Sequence, residues 1–301
     1  MLWAYSVKGN EFVAEDVTSL KQLKDVAHNQ WVWIDIFNPD EKELEIITEL
    51  ISNDSEVVEK YQKIMGKPLD LPFTSYELCT YEKVHECTII TVPSITLEKQ
   101  MLVYPIVLVK KKKMIITWGE EGQSYSSVIK KSINRLREGV ETEQTLNSSL
   151  VISVLFHEIA VKNSAQLLSI REKIDQLEER ALAKGEKNLL RSIFSLKKII
   201  SNIYRLLIEE KDFMLDVTKS VIPLVKLDQK SKPIVDAAIE VVDREIDFVD
   251  SYNRSLDSIL TLTNLASIHK VESSINYLTI VLVIGTAILI FLELLAVLEL
   301  A

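Results

Sequence analysis

An apolar run near the C-terminal end constrains the fold of this chain more than any other feature. From Ile275 to Leu292 the sequence reads INYLTIVLVIGTAILIFL and contains no charged side chain. A helix of this length is about 27 Å long, close to the roughly 30 Å hydrocarbon thickness of a bilayer. A buried core helix is the alternative interpretation, but charge-free runs of this length are rare in soluble cores. We therefore expect a transmembrane helix over residues 275–301.

The rest of the chain has the composition of a water-soluble body. Charged residues make up 26% of the sequence and the net charge is -9. This acidic balance argues against nucleic acid as a partner and favours the attraction of cations. Arg254 and Lys270 precede the apolar run and no basic residue follows it. The positive-inside rule then places residues 1–274 in the cytoplasm, on a plasma (inner) membrane.

The first 140 residues show the mixed pattern of an α+β domain. Short β-prone runs alternate with amphipathic segments and turn residues. Strands are predicted at 2–7, 11–17, 31–36, 75–80, 87–97, 101–109 and 114–118, and helices at 19–27, from 38 to 50, at 57–65 and at 124–136. Two small residues, Cys79 and Cys87, are too few for a disulfide framework, and we expect them to be buried. Four consecutive lysines, 110–113, could form a patch for nucleic acid or anionic lipid. Because they lie between two apolar strands, we expect a solvated hairpin turn instead.

Residues 141–233 are predicted to form a helical hairpin. Apolar residues recur at helical spacing in two segments, which are separated by Lys184-Gly185-Glu186. The seams are Leu167, Ile170, Ile174 and Leu177 in the first segment, and Leu189, Ile193, Leu196, Ile200, Ile203 and Leu207 in the second. Packing the two segments against each other buries both seams.

A long helix is predicted from Ile234 onwards, because neither glycine nor proline occurs between that residue and the apolar run. We call residues 234–274 the stalk. Counted to Leu292, the helix would be about 90 Å long. The fold class is therefore an α+β cytoplasmic domain with a long helical stalk that continues into a C-terminal transmembrane helix.

Acidic residues form one face of this predicted helix, and we call them the carboxylate row. The row consists of Asp236, Glu240, Asp243, Asp247, Asp250 and Asp257, at steps of four, three and seven residues. A hydrated helix surface is one interpretation. The other is a site for divalent cations, which would relieve the repulsion between like charges on one face. Mg²⁺ suits such a surface because it keeps several waters and needs only one or two carboxylates.

Motifs for catalysis are not evident in the sequence, and we expect the chain not to be an enzyme. It contains no Gly-rich phosphate loop, no Gly-x-Ser-x-Gly motif and no Cys or His pairs at zinc spacing.

Three stretches resemble the CorA family of divalent metal-ion transporters. They are WVWIDI followed by NPDEKELEIITEL, then PIVLVKKKKMIITW, and finally HKVESSINYLTIVLVIGTAILI. The resemblance covers nearly the whole chain and implies a homopentamer in a lipid bilayer. Family members carry Gly-Met-Asn after the first membrane helix and then a second helix. Neither feature follows the apolar run in this sequence, so no residue here is assigned to that motif.

The family resemblance also implies roles for individual residues. One stripe of the last helix would line a central pore, formed by Glu272, Ile275, Leu278, Leu282, Thr286, Leu289 and Glu293. Family members pair acidic residues at a regulatory interface, one of them on the α/β domain. Asp70 is the candidate for that residue, and as a metal ligand it would join Asp236, Glu240 and Asp243, which the charge pattern of the carboxylate row itself suggests.

Two function classes follow from the sequence. The first is a CorA-like channel or transporter for divalent metal ions, with Mg²⁺ favoured and Co²⁺ as a second ion, gated by cytoplasmic divalent cations. The second is a tail-anchored membrane protein whose helical body binds partner proteins. Ion flux in liposomes separates them.

Overall fold

The computed structural model describes residues 2–8, 11–17, 31–51, 58–59, 79–97, 101–119, 123–141, 147–182 and 188–299. The strands are β1 (Leu2–Lys8), β2 (Glu11–Asp16), β3 (Val32–Phe37), β4 (Thr80–Val84), β5 (Cys87–Leu97), β6 (Met101–Lys111) and β7 (Met114–Gly119). The helices are α1 (Glu41–Ile51), α2 (Gln123–Glu141), α3 (Ser148–Leu182), α4 (Leu189–Thr218) and α5 (Lys232–Glu299).

The seven strands form one sheet in the order β2-β1-β3-β7-β6-β5-β4. Only β3 and β7 pair in parallel, and the other neighbours are antiparallel. Apart from Asp35 in β3 and Thr117 in β7, the central strands are apolar on both faces and buried, as expected for strands covered on two sides. Val32, Ile34, Ile36, Ile89 and Ile116 belong to the core between this sheet and α1. The α+β architecture predicted from the sequence is therefore confirmed.

Helix α1 begins and ends with side chains that satisfy its free backbone groups. At its start, Asp40 Oδ1 accepts from the Glu43 amide at 2.8 Å and Glu43 Oε2 accepts from the Asp40 amide at 2.9 Å. This reciprocal pair is a capping box. At its end, Lys111 Nζ donates to the carbonyl of Leu50 at 2.7 Å. A positive charge is favourable there, because the C-terminal end of a helix carries the negative end of its dipole.

The lysine run therefore differs from the solvated turn that the sequence predicted. Lys112 and Lys113 do form the exposed turn between β6 and β7. Lys110, however, is buried, and Lys111 is half-buried where it caps α1. Burial lowers the pKa of Lys110. The sequence predicted the end of this strand at residue 109, where its apolar segment ends. In the structure β6 continues for two more residues, so that Lys110 and Lys111 belong to the strand and not to the turn.

The helical part agrees with the predicted periodicity. Every residue of the two predicted hairpin seams is buried in α3 and α4. Helix α5 is continuous over 68 residues, and its stretch from Ile234 to the apolar run is unbroken, as the absence of glycine and proline there predicted. Before it, Asp228 Oδ1 accepts from the Ser231 amide at 2.7 Å, and Asp228 Oδ2 accepts from Asn147 at 2.7 Å beside the start of α3. The two helices thus begin at one hydrogen-bonded cluster.

The chain divides into two compact units by its internal contacts. One unit contains Met1–Glu172 and Lys198–Ser251, and the other contains Lys173–Lys197 and Tyr252–Ala301. The division by composition, into 1–140, 141–233, 234–274 and 275–301, stays a prediction. The predicted helix at 19–27, the break at Lys184-Gly185-Glu186 and Asp70 lie outside the described residues, as do most of the helix predicted at 57–65 and of the strand predicted at 75–80.

Candidate functional site

The carboxylate row lies along an exposed face of α5, beside the buried seam of the same helix. Val235, Val242 and Val249 of that seam are buried, because their unit packs around them. Asp236 and Glu240 are exposed and Asp243 is half-buried. The predicted metal residues of α5 therefore share one accessible face.

Helix α4 brings a basic partner to the row, which the sequence pattern did not indicate. Lys211 Nζ lies 2.6 Å from Asp243 Oδ1. This contact, together with the nearby charges of Asp212 and Asp247, raises the pKa of Lys211. Lys211 follows Glu209 and Glu210 in a charged stretch, so periodicity alone did not show which of these side chains faces α5. A cation that binds at Asp243 must compete with this ammonium group.

A second ion pair lies at the other end of the row. Lys197 Nζ contacts Asp257 Oδ1, and Asp257 remains largely exposed.

In the described part of the chain, no three His, Cys, Asp or Glu residues come together as a group that could hold a metal ion. A hydrated Mg²⁺ ion does not need such a group, because it keeps several of its waters and binds through one or two carboxylates. The exposed Asp236 and Glu240 fit that mode of binding.

A buried carboxylate also lies on α5, outside the predicted row. Glu245 is 4% exposed, and Ser164 of α3 donates to its Oε1 at 2.6 Å. Burial raises the pKa of Glu245, against the lowering effects of Ser164 and Arg244. The sequence pattern does not reveal this residue, because a charge next to the acidic row resembles further helix surface.

The apolar run forms the last part of α5 and is exposed along its whole length. One described helix is long and apolar enough to cross a membrane, with a mean hydropathy of 2.5 and 0% of the run buried. Of the predicted pore residues, Ile275, Leu278, Leu282 and Leu289 are between 55% and 71% exposed, so no other part of the described chain covers them.

Two polar residues of the predicted pore stripe, Thr286 and Glu272, have local partners within α5. Thr286 donates its hydroxyl hydrogen to the carbonyl of Leu282, one turn earlier. Glu272 Oε2 lies 3.2 Å from His269 Nδ1. Both of these side chains are exposed in the single chain, and the backbone of α5 includes Glu293.

Comparison with known proteins gives a family and a fold. The family model described as "CorA-like Mg2+ transporter protein" matches residues 28–287. No curated protein matches the sequence. Among solved structures, the complete CorA magnesium transporter from Methanocaldococcus jannaschii is similar, with a TM-score of 0.71 and 17% identity. The match covers 93% of this chain and 82% of that chain.

Two further solved structures share the fold. Full-length CmaX has a TM-score of 0.67 and 10% identity, and the match covers 93% of this chain and 81% of that chain. The cytoplasmic domain of ZntB from Vibrio parahaemolyticus has a TM-score of 0.58 and 10% identity, over 89% of this chain and 98% of that one. These likenesses confirm the predicted α/β domain with its long C-terminal helix. Since the family model spans most of the sequence, the chain belongs to the CorA-like Mg²⁺ transporter family, a family of divalent cation transporters.

Proposed function

We propose that this chain is the subunit of a homopentameric channel for divalent cations, in a plasma (inner) membrane with residues 1–274 in the cytoplasm. The observation that carries the proposal is the continuity of α5, which joins the carboxylate row to the charge-free run in one helix. A change at the row can therefore be passed along the backbone of the helix that enters the membrane segment. The family membership supports the transport of a divalent ion.

The transported ion is Mg²⁺ in this proposal, with Co²⁺ as the second ion to test. The exposed ligands of the row are carboxylates, and hard cations such as Mg²⁺ prefer oxygen ligands. A pore formed by five α5 helices would be lined by the stripe from Glu272 to Glu293. Rings of Ile275, Leu278 and Leu282 would close it, because narrow apolar constrictions gate by dewetting.

Cytoplasmic divalent cations would regulate this pore through the row. Mg²⁺ bound at Asp236, Glu240 and Asp243, with Asp70 as a ligand from the α/β domain, would offset the repulsion between carboxylates of neighbouring stalks. When the cation dissociates, that repulsion separates the stalks and widens the apolar rings. At Asp243 the cation competes with Lys211, which pairs with this residue inside one chain.

The test is ion flux into liposomes that contain the full chain. We expect Mg²⁺ entry, followed with a Mg²⁺-sensitive dye, and inhibition by Mg²⁺ on the side of the soluble body. Leu282→Ala should widen an apolar ring and increase flux at inhibitory Mg²⁺. Ile284→Ala lies on the opposite face of α5 and should leave flux unchanged.

A folded, membrane-inserted protein that carries neither Mg²⁺ nor Co²⁺ would contradict the proposal. It would favour the tail-anchored, partner-binding alternative. Flux without any response to Mg²⁺ would leave the channel in place and remove the regulatory site.

A further inference from the structure

Helix α3 covers the edge of β5 with side chains that take the place of a strand. In the described chain, β4 pairs with β5 only from Cys87 to Thr91. Beyond that point, Asn163 Oδ1 accepts from the Ile95 amide at 2.8 Å and Asn163 Nδ2 donates to the Pro93 carbonyl at 3.1 Å. Gln166 Oε1 accepts from the Leu97 amide at 3.0 Å. The amide groups of α3 thus satisfy backbone groups of β5 that would otherwise be unpaired.

Asn163 also contacts a buried carboxylate on α4. Its Nδ2 lies 3.2 Å from Glu210 Oε2. Glu210 is 0% exposed, and among the described residues its other oxygen, Oε1, has no hydrogen-bond partner. One side chain therefore links the edge of the sheet to a buried acid that receives a single hydrogen bond from the described part of the chain.

No cation among the described residues neutralises Glu210. On its own helix, Glu209 pairs with Arg205 at 3.2 Å and Lys211 pairs with Asp243. On α3, Lys162 donates to the Ile95 carbonyl at 3.3 Å. Glu245 of α5 is bonded to Ser164 instead. Before β4, the pKa of the Cys79 thiol is raised by burial and by the charges of Glu210 and Glu209, so that this thiol stays neutral.

We propose that Glu210 is a proton-binding site, whose protonation holds α4 against α3 and keeps Asn163 on the edge of β5. A buried carboxylate with one neutral hydrogen bond is poorly solvated when it is ionised. Ionisation can be relieved by water, which enters only if α4 moves away from α3. That movement withdraws the support of Asn163, so the sheet edge responds to pH.

The pH range follows from the burial of the group. Burial raises the pKa of Glu210 from 4.5 to about 7, against the lowering effect of Asn163. Because the folded-state pKa is raised, the folded state gains stability from the bound proton. This contribution is complete below about pH 4.5 and is lost as the pH rises through about 7. If residues 1–274 lie in the cytoplasm, as proposed above, the pH around Glu210 lies on the upper part of this titration.

The experiment compares the wild-type full chain with Glu210→Gln, in detergent micelles between pH 6 and 8. Gln keeps the shape and the oxygen that accepts from Asn163 but cannot ionise. We expect the melting temperature of the wild type to fall as the pH rises, and that of the Glu210→Gln chain to fall less. At pH 8 the Ile95 amide should exchange its hydrogen several-fold faster in the wild type than in the variant, and at pH 6 equally fast.

Glu209→Gln is the matched control, since it removes the same charge from the next residue, which already has Arg205 as a partner. It should keep the wild-type dependence on pH. If Glu210→Gln does not fold, the wild type alone gives the test. Protection of the Ile95 amide, corrected for the intrinsic effect of pH, should then be lower at pH 8 than at pH 6. An equal pH dependence of Glu210→Gln and wild type, or constant protection of Ile95, would overturn the proposal. None of these outcomes depends on ion transport.

Discussion

Asp35 is a charged side chain inside a strand that is otherwise apolar. Thr117 Oγ1 donates to its Oδ1 at 2.7 Å, and the hydroxyl of Tyr125 donates to the same oxygen. Trp33 Nε1 donates in turn to Thr117 Oγ1 at 3.0 Å, which extends the network across β3 and β7. Burial raises the pKa of Asp35 to about 6, although both hydrogen bonds lower it.

Stability at this site should depend on pH in a predictable direction. Since the folded-state pKa lies above the ordinary value of 3.8, the contribution of the protonated form is lost as the pH rises from about 4 through 6. Asp35→Asn keeps an oxygen acceptor and cannot ionise. The difference in free energy of unfolding between Asp35→Asn and wild type should therefore favour the variant more at pH 7.5 than at pH 4.5. Asp35→Ala removes the acceptor of two buried hydroxyls and should lower the free energy of unfolding by about 2–4 kcal/mol.

Denaturant unfolding at the two pH values measures both effects. If Asp35→Asn and wild type change in parallel with pH, Asp35 is not the titrating group. If Asp35→Ala is as stable as Asp35→Asn, the hydroxyls of Thr117 and Tyr125 do not depend on this acceptor.

At the scale of elements, the periodicity of the sequence predicted the helices and their buried faces. It did not predict the contacts between side chains of different helices. The seams of α3 and α4 and the start of α5 follow from apolar spacing and from the positions of glycine and proline. The neutralisation of Asp243 by Lys211 does not, because a helix pattern does not show which side chain of a neighbouring helix lies opposite. The same holds for Glu210 and Glu245, which a sequence pattern places among ordinary surface acids.

The carboxylate row should make stability depend on divalent cations. Asp236→Asn, Glu240→Gln and Asp243→Asn together remove three charges from α5. We expect the melting temperature of the wild type to rise with Mg²⁺ concentration and that of the triple variant to stay constant, because the variant has lost both the ligands and the repulsion that Mg²⁺ offsets.

A control for this experiment exists on α3. Glu172, Asp175 and Glu179 are exposed and have a similar spacing of three and four residues. Replacing them by Gln, Asn and Gln changes the net charge by the same amount and should leave the response to Mg²⁺ unchanged. An equal response of wild type and the α5 variant would show that the row is a hydrated surface.

At the scale of the whole molecule, the exposed apolar run requires an environment other than water. The described part of the chain offers no cover for it, and its exposed residues include Ile275, Leu278, Leu282, Thr286 and Leu289 of the stripe that the family resemblance assigns to a pore. Thr286 lies in this stripe and Ile284 lies on the opposite face of the helix. In the proposed pentamer these two positions would meet different surroundings.

Cysteine substitution distinguishes the two surroundings. In a chain whose Cys79 and Cys87 are replaced by Ser, Thr286→Cys should react with a water-soluble thiol reagent and form crosslinks between subunits. Ile284→Cys should do neither, because in the proposed pentamer it would face lipid or a neighbouring helix. Equal labelling of both positions would contradict a central pore, and labelling of both by lipophilic reagents alone would place the stripe against lipid.

The contact between α3 and β5 has a consequence for aggregation. A strand edge with free N–H and C=O groups recruits strands from other chains, and proteins avoid this by covering such edges. Asn163 and Gln166 provide the cover here, although they lie after the point where the composition changes from mixed to helical. A fragment that stops at residue 140 would keep the strands and lose the cover. We expect such a fragment to form intermolecular sheets more readily than the full chain, because it lacks the helix whose side chains cover the edge of β5.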